Sequence, residues 1–302
     1  MNPSLTSPTS ASPVDPRYAE RRGQIEHYFD RTAAQAWARL TSDAPVSGIR
    51  ATVRAGREAM RSTITSWLGT EPTPQAGIAA RLQTPLEQDE PAVAPVYGQR
   101  LLGRSLLDAG CGTGLLSFDA ARLGADVVAI DLSPTLVGLA SQRLPSNLGP
   151  GRVQFRSGDM LDPALGSFDH LVAMDSLIHY APEQAVAAIT ALAPRIRRSM
   201  VFTFAPSSLL LQAMMMVGKW FPRADRSPAI VPVRFERLCR LLRASEALAG
   251  WQLGRRQRIS RGFYTSEALE LLAPASQAAY MPTHMAGGLP QIDCEAMAGG
   301  GR

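Results

Sequence analysis

Apolar residues first recur at helical spacing between Arg17 and Leu40, where Ile25, Phe29, Ala33, Ala36 and Leu40 share one face and Tyr28 and Trp37 flank it. After a break at 43–45, a second helical pattern runs through Ile49, Val53, Met60, Ile64, Trp67 and Leu68 and stops at Gly69. The same segment carries Arg50, Arg54, Arg57 and Arg61 as one basic stripe. A solvated face is the ordinary account of such a stripe. The alternative is a docking surface for an anionic substrate, a membrane or a partner protein. Regular patterning then lapses. Pro72, Pro74, Pro85, Pro91 and Pro95 alternate with Glu71, Glu87, Asp89 and Glu90, which predicts a linker or insertion over 70–98, with room for a short helix at 77–82.

Beyond this stretch, short apolar runs take turns with helical segments: SLLDA, LLSFDAARLG, DVVAI, SPTLVGLASQRL, RVQFRS, FDHLVAMDS, PEQAVAAITALAPRI and SMVFTFA. Strand and helix alternating at this length predict an α/β fold with a mostly parallel, doubly wound sheet and helices on both faces. LLDA, VVAI and VFTF are continuously apolar, as strands buried on both sides should be. The alternation stops after Pro206 and resumes near 251–260. An insertion at 206–236 falls above the carboxyl edge of the sheet, where ligands bind in such folds. Leu209, Leu210, Leu211, Met214, Met215, Met216, Trp220 and Phe221 make it strongly apolar, with Lys219, Arg223, Arg226 and Arg234 around it. Helix packing is the plain account of these residues. A helical lid for a large flat substrate bearing carboxylates, or a membrane-resting surface, is the sharper one. The predicted organisation is a disordered tail at 1–16, N-terminal helices at 17–69, the linker, a main domain at 99–275 containing the lid, and a flexible tail at 276–302.

Composition narrows the class. The 302 residues are 45% hydrophobic and 19% charged with a net charge of +5, which excludes general disorder and gives too mild a field to single out nucleic acid. No apolar run approaches the roughly 18 residues of a transmembrane helix. The opening MNPSLTSPTS lacks the basic and apolar regions of a secretory leader. Cys111, Cys239 and Cys294 lie far apart and pair with no histidine at ligand spacing, so a reduced, cytoplasmic protein with no bound metal is expected.

The chemistry concentrates in LLDAGCGTG, residues 106–114, at the end of the first strand. Gly110, Gly112 and Gly114 permit a tight turn and close backbone approach to a ligand, with Ala109 and Cys111 between them and Asp108 in front. A dinucleotide fingerprint needs a third glycine where Leu115 stands, and a phosphate-binding P-loop needs a lysine that is missing. The remaining pattern, D-x-G-x-G-x-G, resembles the S-adenosylmethionine loop of class I methyltransferases. Asp131, followed by Leu132, ends the second strand, where an acid can accept from both ribose hydroxyls. Asp159 and Met160 follow the third. In the class this pattern resembles, that acid accepts from the adenine amino group and the next residue packs on the ring. Either acid alone is equally a turn or cap residue, but three at successive strand ends favour the donor site. Asp175 and Ser176, at the end of the fourth strand, are assigned to the same site. They stand where adenine and amide methyltransferases carry an N-P-P-Y type tetrad, so a nucleic-acid partner is disfavoured. His179 and Tyr180 come next and should face the donor pocket, a structural histidine being the alternative.

From 28 to 272, apart from the 69–98 stretch, the sequence resembles the magnesium-protoporphyrin IX O-methyltransferases of chlorophyll and bacteriochlorophyll biosynthesis. The resemblance is carried by YFDRTAAQAWARL, VRAGREAMR, LLDAGCGTG, GDMLDPALG, FDHLVAMDSLIHY, FTFAP, FPRADRSPAI and ISRGFYTSEALELL. It implies a Rossmann-like class I fold with S-adenosylmethionine as cofactor and S-adenosylhomocysteine as product. It also implies methyl transfer to one propionate of Mg-protoporphyrin IX, whose magnesium enters with the substrate. His179 and Tyr28 become the orienting catalytic residues, with the N-terminal helices at 17–69 capping the cofactor and Tyr28 on a helix that closes over it and donates a hydrogen bond. Arg223, Arg226 and Arg234 become contacts for the second propionate, with Met215 also on the substrate. Magnesium chelatase is the upstream partner implied, and peripheral contact with the photosynthetic membrane is a further expectation. A class I enzyme acting on another acidic or phenolic small molecule is the alternative.

Overall fold

A computed structural model describes residues 16–42, 44–46, 48–70, 100–207 and 229–274. Residues 1–15 and 276–302 of the expected tails, 71–98 of the linker with its short helix, and most of the lid, including Met215, Arg223 and Arg226, lie outside the described residues, whereas Pro16 of the expected tail begins the first helix.

The first helical pattern is broken in three: α1 (Pro16–His27), one π-helical turn (Tyr28–Thr32) and α2 (Ala34–Leu40). The π turn carries YFDRT and docks through Asp30, whose Oδ1 accepts from Ser133 Oγ and from the Thr135 amide, both at 2.9 Å. These bonds, the Thr135 amide foremost, hold the Asp30 carboxyl below its usual range. The long helix α3 (Ile49–Trp67) follows and buries Met60 and Ile64 completely.

Alternation then delivers β1 (Ser105–Ala109), α4 (Leu115–Arg122), β2 (Asp126–Asp131), α5 (Pro134–Gln142), β3 (Arg152–Ser157), β4 (Phe168–Ala173), α6 (Pro182–Leu192) and β5 (Ile196–Phe204). The chain closes with α7 (Phe235–Arg243), β6 (Gln252–Arg261) and β7 (Tyr264–Leu272). Strand order is β3-β2-β1-β4-β5-β7-β6, parallel from β3 to β5, with β7 antiparallel to both its neighbours. The expected doubly wound sheet is therefore present. Successive strand residues face opposite layers: Leu106 and Val172 pack into one apolar core, Leu107 and Leu171 into the other. Because β2 and β4 lie on either side of β1, the crossovers diverge there and leave a crevice at the carboxyl ends of the strands.

Candidate active site

The crevice opens into a cavity of about 580 Å³, within the range of sites for ligands of drug size. Its floor is the glycine loop. Gly110 has φ +88°, and a Cβ there would lie 2.3 Å from the Cβ of Ser176, so no other residue fits the turn. The amides of Gly110 and Cys111 both donate to the Ile130 carbonyl, at 2.8 and 3.0 Å, tying the loop to β2.

Asp131 at the end of β2 lines the cavity and accepts from the Gly112 amide at 2.8 Å and the Ser133 amide at 2.9 Å. Burial raises its pKa despite these bonds. Asp108, 1% exposed, accepts from Ser117 Oγ at 2.5 Å, and burial pushes it up to about 7. Cys111, Gly112, Leu132 and Met160 also form the wall. His179 ends the 3₁₀ turn Leu177–His179 after β4 and lines the cavity with its ring centroid 5.5 Å from that of Phe29. Tyr180 follows it there, stacked on Tyr18 at 5.2 Å, and burial pushes its phenol up to about 12.

The opposite wall comes from the N-terminal helices. Ile25 of α1, Phe29 of the π turn and Trp37 and Leu40 of α2 line it together with Arg54, Arg57 and Arg61 of α3.

A family model described as "Magnesium-protoporphyrin IX methyltransferase C-terminus" matches residues 173–273, and one described as "Methyltransferase domain" matches 106–198. The magnesium-protoporphyrin O-methyltransferase of Rhodobacter capsulatus is 44% identical over 254 residues, covering 84% of this chain and 97% of that protein. The chain belongs to the magnesium-protoporphyrin O-methyltransferase family. The enzyme of the same name from Synechocystis sp. PCC 6803 is 27% identical over 82% of this chain and 94% of its own length. A crystal structure of magnesium protoporphyrin IX methyltransferase from that organism with bound SAH superimposes with a TM-score of 0.64 at 26% identity, covering 83% of this chain and 99% of the other. The fold is that of a class I S-adenosylmethionine-dependent methyltransferase, as the resemblance implied.

Within this methyltransferase the structure gathers most of the sequence-derived residues, with differences that have physical causes. Ala109 is fully buried in a core at the end of β1 and does not line the cavity, because alternate strand residues face the sheet layers. Asp159 is off the wall as well, although Gly158 and Met160 on either side are on it. Its carboxylate pairs with Arg22 Nη1 at 2.6 Å and accepts from Tyr18 OH at 3.2 Å, so α1 holds the acid expected to face adenine. Tyr28 gives its place on the wall to Phe29, against which it packs edge-on at 5.2 Å. Asp175 reaches the wall, but its carboxylate is surrounded by protein donors. Arg234 is exposed at the start of α7 and is absent from the wall. Cys111 is a free thiol, as the spacing of the cysteines led one to expect for that residue.

The α3 stripe is the residue set that periodicity misread. Only Arg50 of its four members matches the solvated account. Arg54 donates to two carbonyls at the end of α2 and to the Ala44 carbonyl beyond it, Arg57 pairs with Asp175 at 2.6 Å, and Arg61 pairs with Asp119 at 3.1 Å. The sequence did hold a signal: Gly56 interrupts the helix beside Arg57, which marks a close approach by a neighbour.

Proposed function

We propose that this chain transfers a methyl group from S-adenosylmethionine to one propionate carboxylate of magnesium-protoporphyrin IX, giving the monomethyl ester. The observation that carries the reading is the joining, in one cavity, of the glycine loop and Asp131 with His179 at the end of β4, in a chain 44% identical to a magnesium-protoporphyrin O-methyltransferase.

The residues present fit the cofactor. The wall position of Gly112 is open, with nothing within 4 Å of where a Cβ would stand, and the Ser176 hydroxyl is buried on the wall without a hydrogen-bond partner. Bound S-adenosylmethionine supplies an electrophilic methyl group on a sulfonium and departs as S-adenosylhomocysteine. The loop 108–114 and Asp108 are assigned to its amino-acid end, Asp131 and Leu132 to the ribose, Met160 to the adenine ring, and Ser176 to the side facing β4.

A propionate has a pKa near 4.3 and is already anionic at pH 7, so no general base is needed to activate it. The protein's task is to strip water from the carboxylate and hold one oxygen in line for attack, which is worth about 7–11 kcal/mol in favourable cases. Phe29, Trp37, Leu40 and Met174 supply the apolar wall. His179, buried there, orients the acceptor oxygen. Tyr28 is assigned the same role and needs a rotation of the π turn to bring it inward. Arg223, Arg226 and Arg234 are assigned to the second propionate, beside Met215. Magnesium chelatase is the proposed source of the poorly soluble pigment, received in the cytoplasm or at the photosynthetic membrane surface. No described helix is long and apolar enough to cross a membrane.

The test is incubation of purified protein with labelled S-adenosylmethionine and Mg-protoporphyrin, followed by mass analysis. One added methyl is expected, and His179→Ala should lower turnover while leaving affinity for S-adenosylhomocysteine nearly intact. Equal activity toward quinone or phenol acceptors with none toward the porphyrin would sink the assignment.

A further inference from the structure

Asp175 is the one described non-glycine residue with positive φ, at +55°. Such a conformation is strained for a residue that carries a side chain and persists only where the surroundings impose it. Here they do. Oδ1 accepts from Thr203 Oγ1 at 3.1 Å and Ser266 Oγ at 3.1 Å, while Oδ2 accepts from Arg57 Nη1 at 2.6 Å and Tyr264 OH at 3.0 Å. The Asp175 amide donates to Thr203 Oγ1 at 2.7 Å, closing a ring around the residue. With its side chain 4% exposed and ringed by four donors, the carboxylate is committed to protein groups.

The consequence lies in the residues that follow. The reversed backbone at Asp175 presses Ser176 against Gly110, leaving its hydroxyl buried on the cavity wall, and starts the turn that ends in His179. The donors reach Asp175 from far along the chain, and Gly56 makes this possible. A Cβ on Gly56 would lie 2.4 Å from Cδ1 of Tyr264, so the Tyr264 ring fills the space where α3 carries no side chain. This contact places both the Tyr264 hydroxyl and Arg57 on the carboxylate. Arg57 is itself braced over the Trp37 ring at 4.6 Å.

We infer that Tyr264, which does not line the cavity, is a positioning residue for methyl transfer. Through Asp175 it fixes the 175–179 segment in the conformation that aims Ser176 and His179 at the reacting groups. The inference rests on the methyl-transfer reading above.

Tyr264→Phe tests it, because the ring and its packing on Gly56 survive while the hydroxyl is lost. Turnover should fall about 10- to 100-fold, the scale expected of a misplacement of about 1 Å, with affinity for S-adenosylhomocysteine falling far less, because the glycine loop and Asp131 are untouched, and the melting temperature dropping by only a few degrees for the one lost hydrogen bond. Asp175→Asn tolerates the positive φ yet weakens the bonds to Arg57 and Tyr264, so it should reproduce the loss. The double variant should then be no worse than the poorer single one. Wild-type turnover in Tyr264→Phe, additive losses, or a fall in turnover matched by falls in cofactor affinity and melting temperature would overturn the role. Should the wild-type protein fail to methylate Mg-protoporphyrin, the functional reading falls by itself. Amide exchange at 176–180 then decides on the hub: faster in Tyr264→Phe supports it, and unchanged rates refute it.

Discussion

Asp108 shows how far one buried carboxyl departs from a surface one. Burial pushes it up to about 7, the nearby Asp131 charge adds to the shift, and the Ser117 hydrogen bond opposes it. An acid whose folded pKa lies above its ordinary value of 3.8 binds more protons folded than unfolded between those values. Its contribution to stability is therefore complete below pH 4 and is lost as pH rises toward 7. A ligand ammonium beside it favours the charged form. Binding of S-adenosylhomocysteine near pH 7 should therefore release a proton, seen in calorimetry as a heat that depends on the buffer's ionisation enthalpy. In Asp108→Asn this dependence should vanish. Proton uptake by the wild-type protein would contradict the placement of Asp108 at the ammonium. The identity of this residue was legible from D-x-G-x-G-x-G alone. Its titration was not, because that depends on what β2 and α4 bring beside it.

At the scale of elements, α2 presents Trp37 and Leu40 to the cavity, yet it is only 7 residues long and cannot stand alone. Its last carbonyls are met from outside. Arg54 donates to Arg39 O at 2.8 Å and Leu40 O at 2.9 Å, Arg143 donates to Ala38 O at 2.8 Å, and Arg54 also reaches Ala44 O in the following turn at 2.8 Å. Arg54→Ala strands three acceptors and should cost about 1–3 kcal/mol in denaturant unfolding. It should also weaken acceptor binding more than binding of S-adenosylhomocysteine. Arg54→Lys, which cannot bridge three carbonyls from one planar group, should restore little. This role was hidden in the sequence because a four-residue arginine repeat has the same spacing whether it meets water or a neighbouring helix. Asp159 was obscured for a related reason: the strand-tip position was readable, but Arg22 and Tyr18, which occupy its carboxylate, are more than 130 residues away in the chain. In β7 the glutamates of SEALELL are buried against Arg255 and Arg256 of β6, a pairing that antiparallel register creates and periodicity cannot reveal.

The whole molecule is an α/β sheet whose parallel part could be read from alternating apolar runs, closed by an antiparallel pair and by N-terminal helices whose role as a cover the family resemblance implied but whose individual contacts the sequence did not reveal. The cover is joined to the sheet through a few polar ties. Asp30 caps α5, Arg21 Nε donates to the His179 carbonyl at 2.7 Å, Arg22 pairs with Asp159, and Arg57 pairs with Asp175. Three of these four ties end on the strand-tip segments that also border the cavity. A ligand that fills the cavity therefore touches sheet and cover at once, and its binding free energy is shared between them. At a free concentration about 100 times Kd, S-adenosylhomocysteine should stabilise the protein by about 2.7 kcal/mol. In amide exchange the protection should extend beyond the glycine loop into α1, the π turn and α2, while α7 and β6, which contribute nothing to the wall, should change little. Protection confined to the loop would mean that cofactor binding does not recruit the cover. Closure would then have to await the acceptor, and the polar ties would be structural props with no part in coupling the two ligands.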